Sequence, residues 1–354
     1  MRSAPRLLIA IALVALGMPH AARGQDRLDR AITQQTSALS DAARQEVSDY
    51  VDRWLPEGGF EAGDDVQAVS EAAQQLIDPL LGSPSAEFLS VYRRMLGPRL
   101  SGAFQSDRDE VRLNVMVMVA RLQDPALVDL VAEGLRDGNP AVRYWAGRAA
   151  AGVAKSLPDD NSRQKLVDAL IQALVAERGH QVLPQLAQAL LQLPGETAQI
   201  GLLEALNRRV PWHTEHPEAS LSAQSRVLRD MGRGLAAGPS IAPELLRKLA
   251  LVSCRYMRLA AQNLDSGIVP PRLMPELKEL LDYLDQNLRW LTAKEHPNLT
   301  LPQVLQRAIK PLLDAQNWRN IDTRAREWEK LLIQEFQFKP EDMDLSKPAE
   351  EAAE

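Results

Sequence analysis

The chain is predicted to be all-α, an α-solenoid of antiparallel helix pairs with less regular helices on either side. Three observations predict this class. Ala, Leu, Gln, Arg and Glu abound while aromatic residues make up only 5% of the chain, and no run of β-branched residues alternates with period two. Residues 109–125 and 140–158 echo one another at a constant offset of 31, pairing Val111 with Val142, Arg112 with Arg143, Val115 with Ala146, Met118 with Ala149 and Leu122 with Val153. Within the second copy Val142, Trp145, Ala146, Ala149 and Val153 share one helical face, which a lone helix pair cannot bury but stacked pairs can.

Taken in order, residues 1–24 form a secretory leader. Arg2 and Arg6 precede a 12-residue apolar run, Leu7 to Met18, too short to span a bilayer comfortably, and Ala22-Arg23-Gly24 supplies the small residues of a cleavage site. An uncleaved anchor is the alternative reading. No later segment is long and apolar enough to cross a membrane, so the mature chain is expected to lack a transmembrane segment. Residues 25–106 are expected to hold N-terminal helices: one over 25–55, a breaker at Pro56, Gly58, Gly59 and Gly63, then two more ended by Gly82 and by Gly97-Pro98.

Residues 107–210 carry the repeats. Asn139 is the expected N-cap and Pro140 the first helical residue of the second copy. A weaker third copy, 181–193, places Val182, Leu186, Ala189 and Leu193 at the same phases, and the intervening segments pair Leu127 with Leu166, Val131 with Leu170 and Leu135 with Leu174. The stretch DPALVDLVAEGLRDGNPAVRYWAGRAAAGVAK, residues 124–155, resembles a HEAT repeat of the short, phycobilisome-lyase-like kind: Asp124-Pro125 opens it, Asp137-Gly138-Asn139-Pro140 forms its turn, and Val142-Arg143 starts its second helix. The resemblance is good over 107–155, fair to about 210 and poor elsewhere. It implies an armadillo-like helical scaffold and a structural role for Arg112 and Arg143, each meeting an acidic or amide side chain of an adjacent turn. Fold analogy alone supplies no function.

Residues 211–338 lose the phase. VPWHTEHPEAS, 210–220, reads as an interruption, followed by longer helices over roughly 220–236, 241–264, 271–293, 301–315 and 320–336. The end, 339–354, has six acids against two lysines and two prolines and is expected to be a disordered acidic tail.

Function classes narrow accordingly. The net charge is −6, and −9 without the leader's three arginines, so a general nucleic-acid partner is not expected. The single Cys254 excludes an intrachain disulfide and reads as a small buried side chain. Phosphate-loop, nucleophile-elbow, dinucleotide and H-E-x-x-H motifs are missing, so no enzyme, cofactor or catalytic residue is expected. The best metal candidate is His213, Glu215 and His216, but the spacing is short and no further ligand is evident; a solvated or capping loop is expected, with no metal. Asp64-Asp65 and Asp159-Asp160 read as caps. Trp290, Trp318 and Trp328 lie beside arginines at helical spacing and read as core, and Asn298-Leu299-Thr300 matches a glycosylation acceptor too short to argue from. On the second helices, the positions opposite the core face are Leu113 and Val117, Tyr144 and Arg148, Pro184 and Gln188. They predict a groove, apolar at one end and polar at the other, suited to an extended peptide or partner helix. The expected function is a non-catalytic binding scaffold for a protein or peptide of the cell envelope, exported and bacterial-periplasmic; the rival is an enzyme or accessory subunit with its site at residues 211–218.

Overall fold

A computed structural model describes residues 27–56, 65–238 and 241–347. Among them are sixteen α-helices, four short 3-10 segments and no strand. The leader, Gly58, Gly59, Gly63 and Asp64 lie outside the described residues.

The N-terminal region comprises α1 (Arg30–Thr33), α2 (Asp41–Trp54), α3 (Val66–Leu81) and α4 (Ala86–Ala103). The single helix expected over 25–55 is therefore two. Gln35 bonds the Ser37 hydroxyl at 3.3 Å and the Ala38 carbonyl at 2.9 Å, and Ser40 caps α2 through the Ala43 N–H. These local side-chain bonds compete with helix in the gap. Gly97-Pro98 does not end α4, which runs through it to Ala103. Leu96, Leu100 and Ala103 are buried on both sides of the proline, so tertiary packing carries the helix past its missing N–H. Asp65 caps α3, accepting from the Ala68 N–H at 2.7 Å.

The repeat region holds α5 (Asp109–Leu122), α6 (Val128–Gly134), α7 (Pro140–Val153), α8 (Asp160–Ala176), α9 (Leu183–Gln192) and α10 (Glu196–Glu215). Every matched apolar position is buried: Val111, Val115, Met118 and Leu122 in the first copy, Val142, Ala146, Ala149 and Val153 in the second, Val182, Leu186, Ala189 and Leu193 in the third. Asn139 caps α7 as its sequence predicts, with Pro140 in the first turn, and Asp159 caps α8 at 2.7 Å from the Ser162 N–H. Consecutive helices pack on each other at α5-α6, α6-α7, α8-α9 and α9-α10, and so do alternate ones: α3 on α5, α5 on α7, α7 on α9, α6 on α8 and α8 on α10. Gly147 permits one close approach, since a Cβ there would lie 3.1 Å from that of Gln185.

The boundary drawn at 210/211 falls inside a helix. α10 continues through Pro211 to Glu215 because Val210 and His213, one turn apart, are both buried. Beyond it lie α11 (Ser222–Ala237), α12 (Pro243–Asp265), α13 (Met274–Glu295), α14 (Gln303–Gln306), α15 (Lys310–Asp314) and α16 (Trp318–Glu335). The helix expected over 301–315 is the two short pieces α14 and α15. Alternate packing persists here: α9 meets α11, α11 meets α13, and α10 meets α12, which also packs on α13 and α16.

The segment from 339 is not a solvated tail as far as it is described. Pro340–Met343 forms a 3-10 turn, Met343 and Leu345 are buried, and Arg255 of α12 donates to the carbonyls of Asp344 (2.8 Å) and Lys347. Two apolar residues and a buried guanidinium outweigh the acidic composition of this stretch. Residues 348–354 lie outside the described residues. No described helix is long and apolar enough to cross a membrane.

Candidate functional site

The predicted groove is divided by the structure. Tyr144 and Arg148 on α7 and Gln188 on α9 line one cleft of about 410 Å³. Leu113 and Val117 on α5 do not reach it: both are half-buried against the core, and α3 packs on their helix. Pro184 sits in the first turn of α9, also outside the cleft. The apolar end of the groove is thus interior packing, and the polar end alone is concave surface.

Three kinds of side chain build that cleft. Arg121, Arg148 and Lys155 supply positive charge, and none of them pairs with a carboxylate among the described residues; no Asp or Glu lines the cleft. Gln123, Gln185, Gln188 and Gln192 supply primary amides. Tyr144 and Trp145 supply an aromatic wall, their rings edge-on with centroids 5.9 Å apart, and the Arg148 guanidinium lies 4.7 Å above the Trp145 ring. Trp145, expected in the core, is half-buried here. The face of α7 that carries Ala146 and Ala149 inward leaves the larger ring at its margin.

Arginines position this wall from behind. Arg112 donates to the Asp137 carboxylate at 2.7 Å and to the Ser106 carbonyl at 2.8 Å. Asp137 in turn accepts from the Asn139 N–H at 2.7 Å, fixing the start of α7. Arg143 forks onto Glu177 at 2.7 and 3.1 Å and reaches the Asp137 carbonyl at 2.9 Å. Burial alone would raise the Glu177 pKa; hydrogen bonds from Arg143 and from the Gly179 and Arg178 N–H groups overcome it and hold the carboxyl below its usual range. Both arginines therefore meet acids of neighbouring turns, the structural role that the repeat resemblance implied for them.

A second concavity of about 450 Å³ opens beside Trp212, and of the candidate metal ligands His213 alone lines it. Its geometry separates them. The His216 ring stacks on Trp212 at 4.6 Å and its Nδ1 lies 2.8 Å from the Trp212 carbonyl, while Glu215 is exposed. His213 is 2% exposed, and its Nε2 lies 2.8 Å from the Gln224 amide nitrogen. Among the described residues His213 Nδ1, Gln224 Oε1 and Nε of the adjacent Arg209 have no hydrogen-bond partner. Burial, then the charges of Arg209 and Arg178, push the His213 pKa down to about 3. Among the described residues no cluster of three or more His, Cys, Asp or Glu could hold a metal ion.

Sequence reasoning missed most of the cleft. Gln185, Gln188 and Gln192 recur at i, i+3 and i+7, a polar stripe legible on α9. Arg121 and Gln123 carry no such signal, because they arrive from the C-terminal end of α5. Gln123 occupies the left-handed region at φ 48°, which ends that helix.

No family model matches the chain, and no curated protein matches it. Among solved structures it is similar to two engineered proteins from a structural genomics consortium. One is 17% identical at a TM-score of 0.41, covering 70% of this chain and 98% of that one. The other is 14% identical at 0.36, covering 80% and 100%. Overlaps this low carry no assignment of family or function.

Proposed function

We propose that this chain is a non-catalytic binding scaffold, built as a HEAT-like α-solenoid, that holds an extended acid-rich protein segment in the cleft between α7 and α9. One observation carries the reading. Two consecutive second helices of the repeat, at matching phases, face a cleft with three cations that pair with no acid among the described residues, in a chain whose net charge is negative. Unpaired surface cations of one sign attract and orient an anionic partner. The four glutamine amides each donate and accept, as a peptide group does, so they suit an extended backbone. Stacked helix pairs are supported by alternate packing in two rows, α3-α5-α7-α9-α11-α13 and α6-α8-α10-α12, each row shielding the apolar side of the other.

Export to a bacterial envelope space belongs to the same proposal and rests on the leader. N-terminal sequencing of protein recovered from the periplasmic fraction should begin at Gln25. Recovery of the full-length chain from the cytoplasm overturns that part. The cleft is tested by the double variant Tyr144→Ala, Arg148→Ala in capture from envelope extract followed by direct titration of the captured partner. Binding should weaken by at least about tenfold with the helical content unchanged. An undiminished affinity removes the cleft from the reading.

A further inference from the structure

We infer that the segment held between α7 and α9 carries two carboxylates three positions apart, in the order acid-x-x-acid, and lies there in the left-handed polyproline conformation. The inference rests on the reading of that cleft as a site for an acid-rich protein segment and adds a spacing and a backbone shape to it.

The spacing comes from α7. Arg148 and Lys155, both exposed, line the cleft seven positions apart, Lys155 in the 3-10 turn that continues the helix. Seven helical residues advance about 10.5 Å in two turns, so the two cations leave the wall in nearly the same direction. Between them Ala151 and Gly152 line the cleft, and the Gln123 side chain packs against Gly152, where a Cβ would lie 3.0 Å from its Cγ. That stretch offers a methyl group and an amide but no charge. The wall reads cation, neutral, neutral, cation.

The facing wall has the same length. Gln185, Gln188 and Gln192 run along α9 over seven positions. Gln185 stands beside Gly147, the residue before Arg148, and α9 also packs on the 3-10 turn that holds Lys155. The amides therefore accompany the cations from one end of the row to the other.

A polyproline helix rises about 3.1 Å per residue with three residues per turn, so positions i and i+3 point the same way about 9.3 Å apart. Same-side positions of a β-strand fall about 6.6 or 13 Å apart, on either side of the cation spacing. An α-helix with acids at i and i+7 matches the distance, but its backbone groups pair with one another and leave the glutamines nothing to bind. A polyproline backbone makes no internal hydrogen bonds, so its N–H and C=O groups are free for those amides. Tyr144 and Trp145 supply the aromatic wall on which such segments dock.

The test is calorimetric titration of the full mature chain with end-blocked peptides of equal length and charge. Their two glutamates are adjacent, three apart (Glu-Pro-Pro-Glu) or seven apart on a helical host, and trigalacturonate serves as an anionic sugar. The Glu-Pro-Pro-Glu peptide should bind saturably and about tenfold or more tighter than the others. Lys155→Gln, an exposed change, should erase that preference at constant helical content. Replacing one of the two glutamates by glutamine should be non-additive with Lys155→Gln, as expected for a direct pair. Equal affinity for all three peptides overturns the spacing and leaves the acid-rich reading standing. Tighter binding of the helical peptide overturns the backbone shape, and a preference that survives Lys155→Gln overturns the assignment of the cations. Binding of trigalacturonate alone, or of nothing, overturns both the inference and the reading beneath it.

Discussion

Lowering the pH should loosen the fold through His213 well before the carboxylates titrate. The imidazole is sealed in the neutral form: its ordinary pKa of 6.5 falls to about 3, first through burial and then through the charges of Arg209 and Arg178. A base with a depressed folded pKa stabilises the fold fully above its unfolded value. That stability is lost as the pH falls below it, because the unfolded chain takes up a proton that the folded one refuses. Integrating this linkage from about pH 7 to about pH 5 gives a loss of roughly 2 kcal/mol from this one ring. The assay is urea unfolding at a series of pH values, in buffers free of phosphate and carboxylates, for wild type and for His213→Gln. Wild type should lose that increment, and the variant should lose less by about the same roughly 2 kcal/mol, whatever its absolute stability. Parallel pH dependences for the two proteins would show that His213 is not buried in its neutral form, and would refute the reasoning.

Other perturbations follow from the same contacts. Arg143→Met strands the Glu177 carboxylate, whose side chain is 1% exposed, and should cost roughly 3 kcal/mol in chemical denaturation, with Arg143→Met, Glu177→Gln recovering part of it. Asp285 accepts from Arg324, Arg289 and the Trp328 indole; Asp285→Ala leaves the buried Arg324 uncompensated and should cost roughly 3–5 kcal/mol by the same measurement. Cys254 is fully buried and its thiol pKa is raised by burial, so a thiol-specific reagent should label it only after denaturation; fast labelling of the native chain contradicts the packing of α12.

The sequence shows the repeats because their signal is local: apolar residues at helical spacing, repeated at a fixed offset, all of which prove buried. It misses features that depend on distant partners. Pro98 and Pro211 read as breaks, yet both lie within helices whose flanking residues, Leu96 and Leu100 or Val210 and His213, are held by neighbours remote in the chain. The terminal segment reads as solvated because its six acids mask Met343 and Leu345. In the cleft, Tyr144, Arg148 and Gln188 were legible from phase alone, whereas Leu113 and Val117 share that phase but are covered. Phase gives direction from a helix axis; it does not say what lies in that direction.

The arginines explain how packing between alternate helices outlasts the sequence period. Arg93 of α4 donates to the Leu122 carbonyl at the end of α5 at 2.9 Å, Arg112 of α5 reaches Asp137 before α7, and Arg143 of α7 reaches Glu177 after α8. Arg209 of α10 then donates to the Leu174 carbonyl in the last turn of α8, Arg255 of α12 bonds Asn207 of α10, and Arg324 of α16 bonds Asp285 of α13. Each link joins a helix to an element beyond its own turn, and several end on the electronegative C-terminus of a helix, where a cation is favoured. Apolar packing tolerates sliding by a helical turn, but a guanidinium with several fixed acceptors does not. The recognisable repeat needs only Arg112 and Arg143 at equivalent phases. Once helices lengthen after Leu193 the phases diverge, and Arg209, Arg255 and Arg324 preserve register from positions that no period predicts. These three side chains are each about 1% exposed or less, and their links tie α10 to α8, α12 to α10 and α16 to α13.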